Sequence, residues 1–226
     1  MSTTLTLQTI EKVTHDTHHL VFARPEGFDI TPGQAVDLTL QREGWQDEAR
    51  PFTPVNTEGE DTVEFVIKSY PSHHGVTEQI ADLKEGEKVD ISEPWGAIHD
   101  EGPGTFIAGG AGITPFIAIL RQRLEDKGTL GGATLIFSNK TEKDIILRDE
   151  FEDMPGLKTV FTVTDQDIAS AGVQTAMIDK EFLAPYATSK HAPFYLCGPD
   201  KMVEELEQDL KDLGVPEDAI IREDFS

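Results

Sequence analysis

The sequence predicts two domains in series, a β domain at residues 1–100 and an α/β domain with a parallel sheet at residues 101–226. Three observations predict this order. Short alternating segments separated by turns fill the first hundred residues, a stretch without core-forming side chains follows, and strand-like and helix-like segments alternate after it. The chain of 226 residues is long enough for two domains of about a hundred residues each.

The first half contains five segments whose apolar and polar residues alternate as in half-buried strands. They are 5–7, 20–22, 35–40, 63–67 and 89–91. Turn-forming sequences separate them, and one helix is predicted near 75–83. Short strands at regular spacing with such turns predict an antiparallel barrel or a sandwich.

Residues 100–104, Asp-Glu-Gly-Pro-Gly, mark the expected domain boundary, because none of them builds a core. Beyond them, strands are predicted at 105–108, 133–137, 159–163 and 193–196. Helical stretches separate these strands, and the longest are 115–126 and 199–213. This alternation is typical of parallel βαβ units.

Composition excludes several classes of function. The formal net charge is −23, and an acidic surface repels nucleic acid and anionic membranes. No apolar run reaches the roughly 18 residues of a membrane span, and the first residues do not read as a signal peptide. We therefore expect a cytoplasmic protein with neither a nucleic-acid nor a membrane partner. The acidic surface also resembles that of proteins adapted to salt, and a merely soluble acidic protein is the alternative.

The single cysteine, Cys197, limits the redox chemistry that the chain alone can host. One cysteine makes no internal disulfide, no four-cysteine zinc site and no self-contained iron–sulfur cluster. His73 and His74 have no third ligand in view, so no metal site is expected. A redox group would therefore be an organic cofactor.

A glycine-rich turn follows the first strand of the second half. Residues 106–115 read FIAGGAGITP, a buried strand that runs into glycines and then into a helix with Pro115 in its first turn. Glycines let the backbone approach a phosphate, and a helix N-terminus supplies free N–H donors. A pyrophosphate fits there, but Pro115 replaces the third glycine of the ordinary Rossmann fingerprint. A tight structural turn explains the same residues.

A second turn of the same type lies at residues 195–202, YLCGPDKM. Ligands of an open parallel sheet bind at the carboxyl ends of its strands. Both turns would therefore line one crevice. The alternative for Cys197 is a small buried apolar residue.

The β domain contains two further motifs. Residues 50–56, Arg-Pro-Phe-Thr-Pro-Val-Asn, combine a cation, a ring and a hydroxyl, and a strand would direct Arg50 and Phe52 to the same side. Residues 67–70 lead to His-Gly-Val-Thr at 74–77, a helix start that suits a phosphate. A proline-rigidified strand and a threonine N-cap are the alternatives.

The order of these motifs resembles the ferredoxin–NADP⁺ reductase superfamily over essentially the whole chain. That family has an Arg-x-aromatic-Ser/Thr motif, a phosphate turn, a glycine-rich turn ending Thr-Pro, a Cys-Gly-Pro turn and an aromatic residue near the C-terminus. The resemblance implies an N-terminal antiparallel Greek-key β-barrel for a flavin. It also implies a C-terminal Rossmann-like parallel α/β domain for a nicotinamide nucleotide.

The resemblance also assigns roles to single residues. Arg50 and the 75–77 turn would bind flavin phosphates, Phe52 would lie against the isoalloxazine, and Thr53 would hydrogen-bond its N5 side. Cys197 would lie beside the nicotinamide, and Phe225 would cover the flavin until the nicotinamide displaces it. Thr53, Cys197 and Phe225 are thus the expected catalytic residues. The expected cofactor-binding residues are Arg50, Pro51, Phe52, Thr53, Ile67, Lys68, Gly75, Val76, Thr77, Gly110, Gly112, Thr114, Pro115, Asp165, Cys197, Gly198, Pro199 and Phe225.

The implied function is an FAD-dependent NAD(P)H oxidoreductase that passes hydride from NADH to flavin N5. Electrons would then leave to a separate acceptor, a protein or a small molecule, because an attached plant-type ferredoxin domain needs four cysteines. FAD is expected rather than FMN. The alternative is a non-enzymatic flavin-binding subunit or redox sensor.

NADH is expected rather than NADPH, because Asp165 stands where NADPH-using relatives tend to carry an arginine. A carboxylate accepts hydrogen bonds from ribose hydroxyls and repels a 2′-phosphate. Lys140 argues for NADPH, and a simple turn residue is the alternative for Asp165.

Overall fold

The structure is a computed structural model that describes residues 2–70, 74–189 and 191–223. Its first six strands form an antiparallel sheet in the order β4-β3-β6-β1-β2-β5. The elements are β1 (Thr3–Lys12), β2 (Thr17–Ala23), β3 (Val36–Leu40), β4 (Arg50–Phe52), β5 (Thr62–Lys68), α1 (Val76–Ala81) and β6 (Lys88–Ile91). Because β6 inserts between β3 and β1, the topology is a Greek key.

The edge strands of this sheet approach each other and close it into a barrel. Pro54, two residues after β4, forms an antiparallel bridge with Phe65 of β5, and the Val55 N–H donates to the Glu64 carbonyl at 2.8 Å. Alternate strand residues point inward, so Leu20 and Phe22 are fully buried. The predicted antiparallel barrel is confirmed, and the sandwich is not observed.

The second half forms a six-stranded parallel sheet in the order β10-β9-β8-β7-β11-β12. Its strands are β7 (Thr105–Gly109), β8 (Thr134–Asn139), β9 (Lys158–Val163), β10 (Val173–Gln174), β11 (Phe194–Cys197) and β12 (Ile220–Arg222). Its helices are α2 (Thr114–Lys127), α3 (Arg148–Asp153), α4 (Lys180–Leu183) and α5 (Asp200–Asp212).

Helices cover both faces of the parallel sheet. Leu135 and Phe137 of β8 pack in one core cluster with α2 and α3, whereas Ile136 packs in another with α4 and α5. Strands buried on both faces read as continuous apolar runs, which explains the sequence of β8. The predicted parallel α/β architecture is confirmed, but α3, α4 and the two-residue β10 were not individually predicted.

The two sheets share one core cluster. Val55, Val66 and Ile98 of the N-terminal half pack with Phe106 and Phe116 of the C-terminal half. No helix in the described part of the chain has the length and apolarity to cross a membrane.

Candidate functional site

A cavity of about 1060 Å³ lies between the barrel and the parallel sheet. Its walls come from the barrel loops and β5 on one side and from the carboxyl ends of β7, β8, β9 and β11 on the other. The predicted residues that line it are Pro51, Phe52, Thr53, Ile67, Lys68, Thr77, Gly110, Gly112, Thr114, Pro115, Asp165, Cys197, Gly198 and Pro199. The structure therefore brings motifs from both halves of the chain to one place.

The two glycine-containing turns pack directly against each other. A Cβ on Gly112 would lie 2.5 Å from the Cys197 carbonyl carbon and 2.6 Å from the Gly198 nitrogen. Only glycine permits this approach, since backbone atoms cannot yield as a flexible side chain can. Gly110, in contrast, has a left-handed φ of +53° and open space where a Cβ would be.

The glycine turn leads into α2 through a short 3₁₀ segment, Gly110–Ile113. Pro115 occupies the first turn of α2, where its missing N–H costs nothing. The Thr114 hydroxyl donates to the Ala111 carbonyl at 3.2 Å. The positive end of the 14-residue α2 is thus directed at the cavity wall.

On the barrel wall, Phe52 and Thr53 are half-buried and line the cavity. Arg50 does not line it. The Arg50 guanidinium pairs with Glu48 at 2.8 Å and donates to the Ala49 carbonyl at 2.7 Å. Its side chain is 52% exposed, so this cation lies outside the cavity lining.

The predicted phosphate turn before α1 only partly faces the cavity. Thr77 lines it, and its Oγ1 accepts a hydrogen bond from the Tyr70 N–H at 3.3 Å. A hydroxyl that accepts one hydrogen bond retains a proton that it can donate. Val76 instead packs in the barrel core, and Gly75 is the N-cap of α1 outside the cavity lining.

Cys197 and Glu223 share the part of the cavity nearest the second turn. Burial, and then the nearby Glu223 carboxylate, raise the pKa of the Cys197 thiol to about 12. Glu223 Oε1 accepts hydrogen bonds from the backbone N–H groups of Ala97 at 2.5 Å and Ile98 at 3.0 Å. The thiol is therefore neutral at physiological pH, and an anionic side chain lies beside it.

Glu223 is a site residue that sequence reasoning missed. Its partners lie more than 120 residues away, so no local pattern indicates it. Only its place two residues before Phe225 could have drawn attention to it. Phe225 itself lies outside the described residues, as does His73.

The loops after β8 and β9 lie side by side at the far end of the cavity. The Asp165 N–H donates to the Lys140 carbonyl at 2.8 Å, and both exposed side chains line the cavity. Glu142 secures this region by accepting from Ser170, Gln166 and Arg148. The hydrogen bonds from Ser170, and then that from Gln166, lower the pKa of Glu142 to about 2.

A charged cluster joins the two halves at the cavity wall. Lys68 of β5 contacts Asp16 at 2.9 Å and Asp144 at 2.7 Å, and His15 Nε2 lies 3.5 Å from Asp16. His15, Asp16 and Asp144 have ligand atoms within 4.8 Å of one another, a spacing that would suit a metal ion. The Lys68 ammonium already supplies the cation that these carboxylates need.

Two family models match separate stretches of the chain. Residues 4–99 match the family model of the oxidoreductase FAD-binding domain, and residues 106–208 match that of the oxidoreductase NAD-binding domain. The chain also resembles a solved ferredoxin NADP⁺ reductase from Neisseria gonorrhoeae with bound FAD and NADP. The TM-score is 0.81 and the identity 21%, with 98% of this chain and 97% of that chain covered.

Two curated relatives are more similar in sequence. NADH-cytochrome b5 reductase 2 of Botryotinia fuckeliana (strain B05.10) is 30% identical over 217 residues, which cover 88% of this chain and 62% of that protein. NADH-cytochrome b5 reductase 2 of Xenopus laevis is 30% identical over 248 residues, which cover 92% and 83%. The chain spans only 62% to 64% of the length of three of the curated relatives that it matches.

Proposed function

This chain belongs to the ferredoxin–NADP⁺ reductase superfamily and carries its FAD-binding and NAD-binding domains, and we propose from that premise that it is an NADH-dependent flavoprotein reductase. It would accept hydride from NADH and deliver electrons to a separate acceptor. One observation supports this most directly. The barrel motif at 51–53 and the two nucleotide-type turns of the parallel sheet line a single cavity, as hydride transfer between two bound cofactors requires.

The residues present fit both cofactors. Gly110 leaves open space on the cavity side, and Gly112 lets the second turn approach closely, so backbone can surround a pyrophosphate at the start of α2. On the barrel side, Phe52 offers a ring and Thr53 a hydroxyl to a flavin. Phosphate binding by Arg50 stays a prediction, because this guanidinium pairs with Glu48 and does not line the cavity.

When bound, NADH and FAD supply the redox chemistry, with hydride passing from nicotinamide C4 to flavin N5. The protein's part is positioning, exclusion of water and electrostatics. Cys197, neutral because burial raises the pKa of its thiol, gives the nicotinamide side of the cavity an uncharged, polarisable wall. Thr53 can donate a hydrogen bond from the opposite wall.

The preference for NADH rests on Asp165. Its backbone is fixed to Lys140 and its carboxylate lines the cavity at the end of β9. A 2′-phosphate there would meet this carboxylate, whereas ribose hydroxyls could donate to it. Lys140, a cation near Asp165, argues instead for NADPH. The curated relatives named above carry NADH in their names, which supports the same preference.

For the acceptor, the names of these relatives make a cytochrome b5-type haem protein the first candidate. The net charge of −23 imposes a condition. Two acidic proteins repel each other unless salt screens them, so a carrier with a basic or neutral docking face fits this chain better. The cytoplasmic location and the division at residues 100 and 101 stay predictions.

Anaerobic mixing of the purified, FAD-loaded protein with NADH tests the proposal. Bleaching of the flavin band, followed by steady NADH oxidation with ferricyanide as acceptor, is expected. Chromatography of the heat-released cofactor should show FAD. A protein that binds FAD but is not reduced by NADH would be a flavin-binding subunit or sensor, and one that binds no flavin would contradict the whole proposal.

A further inference from the structure

Lys68 connects the two halves of the cavity. It is the last residue of β5, and its ammonium lies 2.9 Å from Asp16 Oδ2 and 2.7 Å from Asp144 Oδ1. Asp16 lies in the turn between β1 and β2 of the barrel. Asp144 lies in the 3₁₀ segment Glu142–Asp144 after β8 of the other domain. The Lys68–Asp144 pair therefore crosses from one domain to the other.

Hydrogen bonds from Thr141 also hold the Asp144 carboxylate in place. Its Oδ2 accepts from the Thr141 hydroxyl at 2.7 Å and from the Thr141 N–H at 3.0 Å, which caps the 3₁₀ segment. The side chains of Lys68 and Asp144 are only 11% and 12% exposed. Because the pair is shielded from water and two further hydrogen bonds fix the Asp144 carboxylate, Lys68 and Asp144 hold a single relative geometry.

The energetic balance of the pair follows from its surroundings. Burial alone would lower the pKa of Lys68, but the hydrogen bonds to Asp144 and Asp16 outweigh it and raise the pKa. For Asp144, burial would raise the pKa, but the bonds from Lys68 and Thr141 lower it. Both partners are therefore charged at neutral pH.

Asp144 anchors a segment of the cavity wall that the parallel-sheet domain forms. We call this wall the nucleotide half of the cavity, and the opposite wall, formed by the barrel, the flavin half. Residues 138–141 line the nucleotide half, and the Lys140 carbonyl holds the N–H of Asp165. A shift of this segment relative to β5 would move that half against the barrel wall. Displacements of about 1 Å can cost on the order of 10²-fold in rate when two reacting groups must be aligned.

We propose that Asp144 is a positioning residue for hydride transfer, which fixes the nucleotide half of the cavity against the flavin half by holding Lys68 across the domain boundary. This inference rests on the proposed function. It assigns Asp144 a role in geometry rather than in affinity. The Asp144 carboxylate is an anion beside the Lys68 ammonium, so it does not itself attract an anionic nucleotide.

The variant Asp144→Asn tests the proposal, because it keeps the shape of the side chain and removes its charge. The first-order rate of flavin reduction at saturating NADH, measured by stopped flow, should fall about tenfold or more. The dissociation constant for ADP-ribose, which cannot react, should change by less than about threefold. Asp144→Glu, which restores the carboxylate, should recover part of the rate.

Glu150→Gln is the matched control. It breaks the Arg121–Glu150 ion pair, whose side chains are 28% and 32% exposed, in a helix of the same domain that does not line the cavity. Arg121 also reaches the barrel through the Val55 carbonyl at 3.1 Å. The control should reduce flavin at the wild-type rate. An equal loss of rate in the control, a wild-type rate in Asp144→Asn, or a parallel loss of ADP-ribose binding would overturn the proposal.

Amide hydrogen exchange of residues 138–144 separates this proposal from the proposed function, because it needs no turnover. Asp144→Asn and Lys68→Met should both accelerate exchange in this segment, and Glu150→Gln should not. Lys68→Met keeps the test open if Asp144→Asn does not fold. Unchanged exchange in the pair variants would overturn the proposal even if NADH reduces the flavin normally. A wild-type flavin that NADH does not reduce would instead contradict the proposed function.

Discussion

Replacing Gly112 with alanine tests the contact between the two turns that form the nucleotide wall. The new Cβ would lie 2.5 Å from the Cys197 carbonyl carbon and 2.6 Å from the Gly198 nitrogen, where ordinary contacts begin at 3.4 Å. The backbone segments must therefore separate by about 1 Å, since close-packed interiors have no free space to absorb the atom. Overpacking of this kind costs about 1–3 kcal/mol, which lowers Tm by about 2–12 °C in a chain of this size.

The same displacement should reach the reaction, because the Cys197–Pro199 turn moves with it. Thermal unfolding and stopped-flow reduction by NADH measure the two effects, and we expect a loss of up to about 10²-fold in the reduction rate. Gly131→Ala is the control, because its Cβ would meet only Thr129 Oγ1 at 3.8 Å. A Gly112→Ala protein with the Tm and reduction rate of the control would show that the turns are not packed as the structure has them.

Three other outcomes follow from the site. Asp165→Arg should shift the ratio of kcat/KM for NADH over NADPH towards NADPH by about tenfold or more, since a guanidinium replaces a carboxylate near the 2′-position; an unchanged ratio means that Asp165 does not contact the ribose. Cys197 should react slowly with iodoacetamide up to pH 9, because the thiolate is the nucleophile and burial and Glu223 raise the pKa of this thiol to about 12; fast alkylation at pH 7 would refute this. The Lys68–Asp144 pair should stabilise the fold only between two pH limits. Its contribution to the free energy of unfolding should be lost as pH falls through the lowered pKa of Asp144, and again as pH rises through the raised pKa of Lys68. The free energies of unfolding of wild type and Asp144→Asn, measured by chemical denaturation, should therefore converge at both extremes of pH.

Periodicity predicted the two sheets because burial imposes it. Leu20 and Phe22 alternate with more exposed residues in a barrel strand, whereas Leu135, Ile136 and Phe137 form a continuous apolar run because helices cover both sides of β8. Hydrophobic periodicity does not identify short elements. β10 has two residues and α4 has four, too few for a period to become visible.

The turns of the site were predictable because their chemistry lies in contiguous residues. Gly112 and Pro115 mark a tight turn that begins a helix, and the sequence alone predicts both features. The close approach of Gly112 to the Cys197–Gly198 backbone becomes visible only in the structure. Arg50 shows where local reasoning stops. Strand alternation predicts that Arg50 points to the same side as Phe52, but its guanidinium forms an ion pair with the exposed Glu48, two residues away. A local motif does not reveal such competition between neighbours.

Glu223 and Asp144 are carboxylates at the cavity that sequence reasoning did not indicate, and the acidic composition explains why. The chain has 42 acidic residues, so residue type alone does not show which carboxylates lie at the site. A carboxylate is distinguished from the others only by the groups that donate hydrogen bonds to it. Glu223 receives two backbone N–H groups from residues 97 and 98, and Asp144 receives Lys68, and the tertiary fold brings these donors to their acceptors. The hydrogen bond from Thr141, three residues before Asp144, is local. At Asp144, the hydrogen bonds from Lys68 and Thr141 lower the pKa of the carboxyl and so favour its ionised form. In so acidic a protein, the carboxylates to test first are therefore those with partners from the opposite domain, because a solvated surface acid needs none.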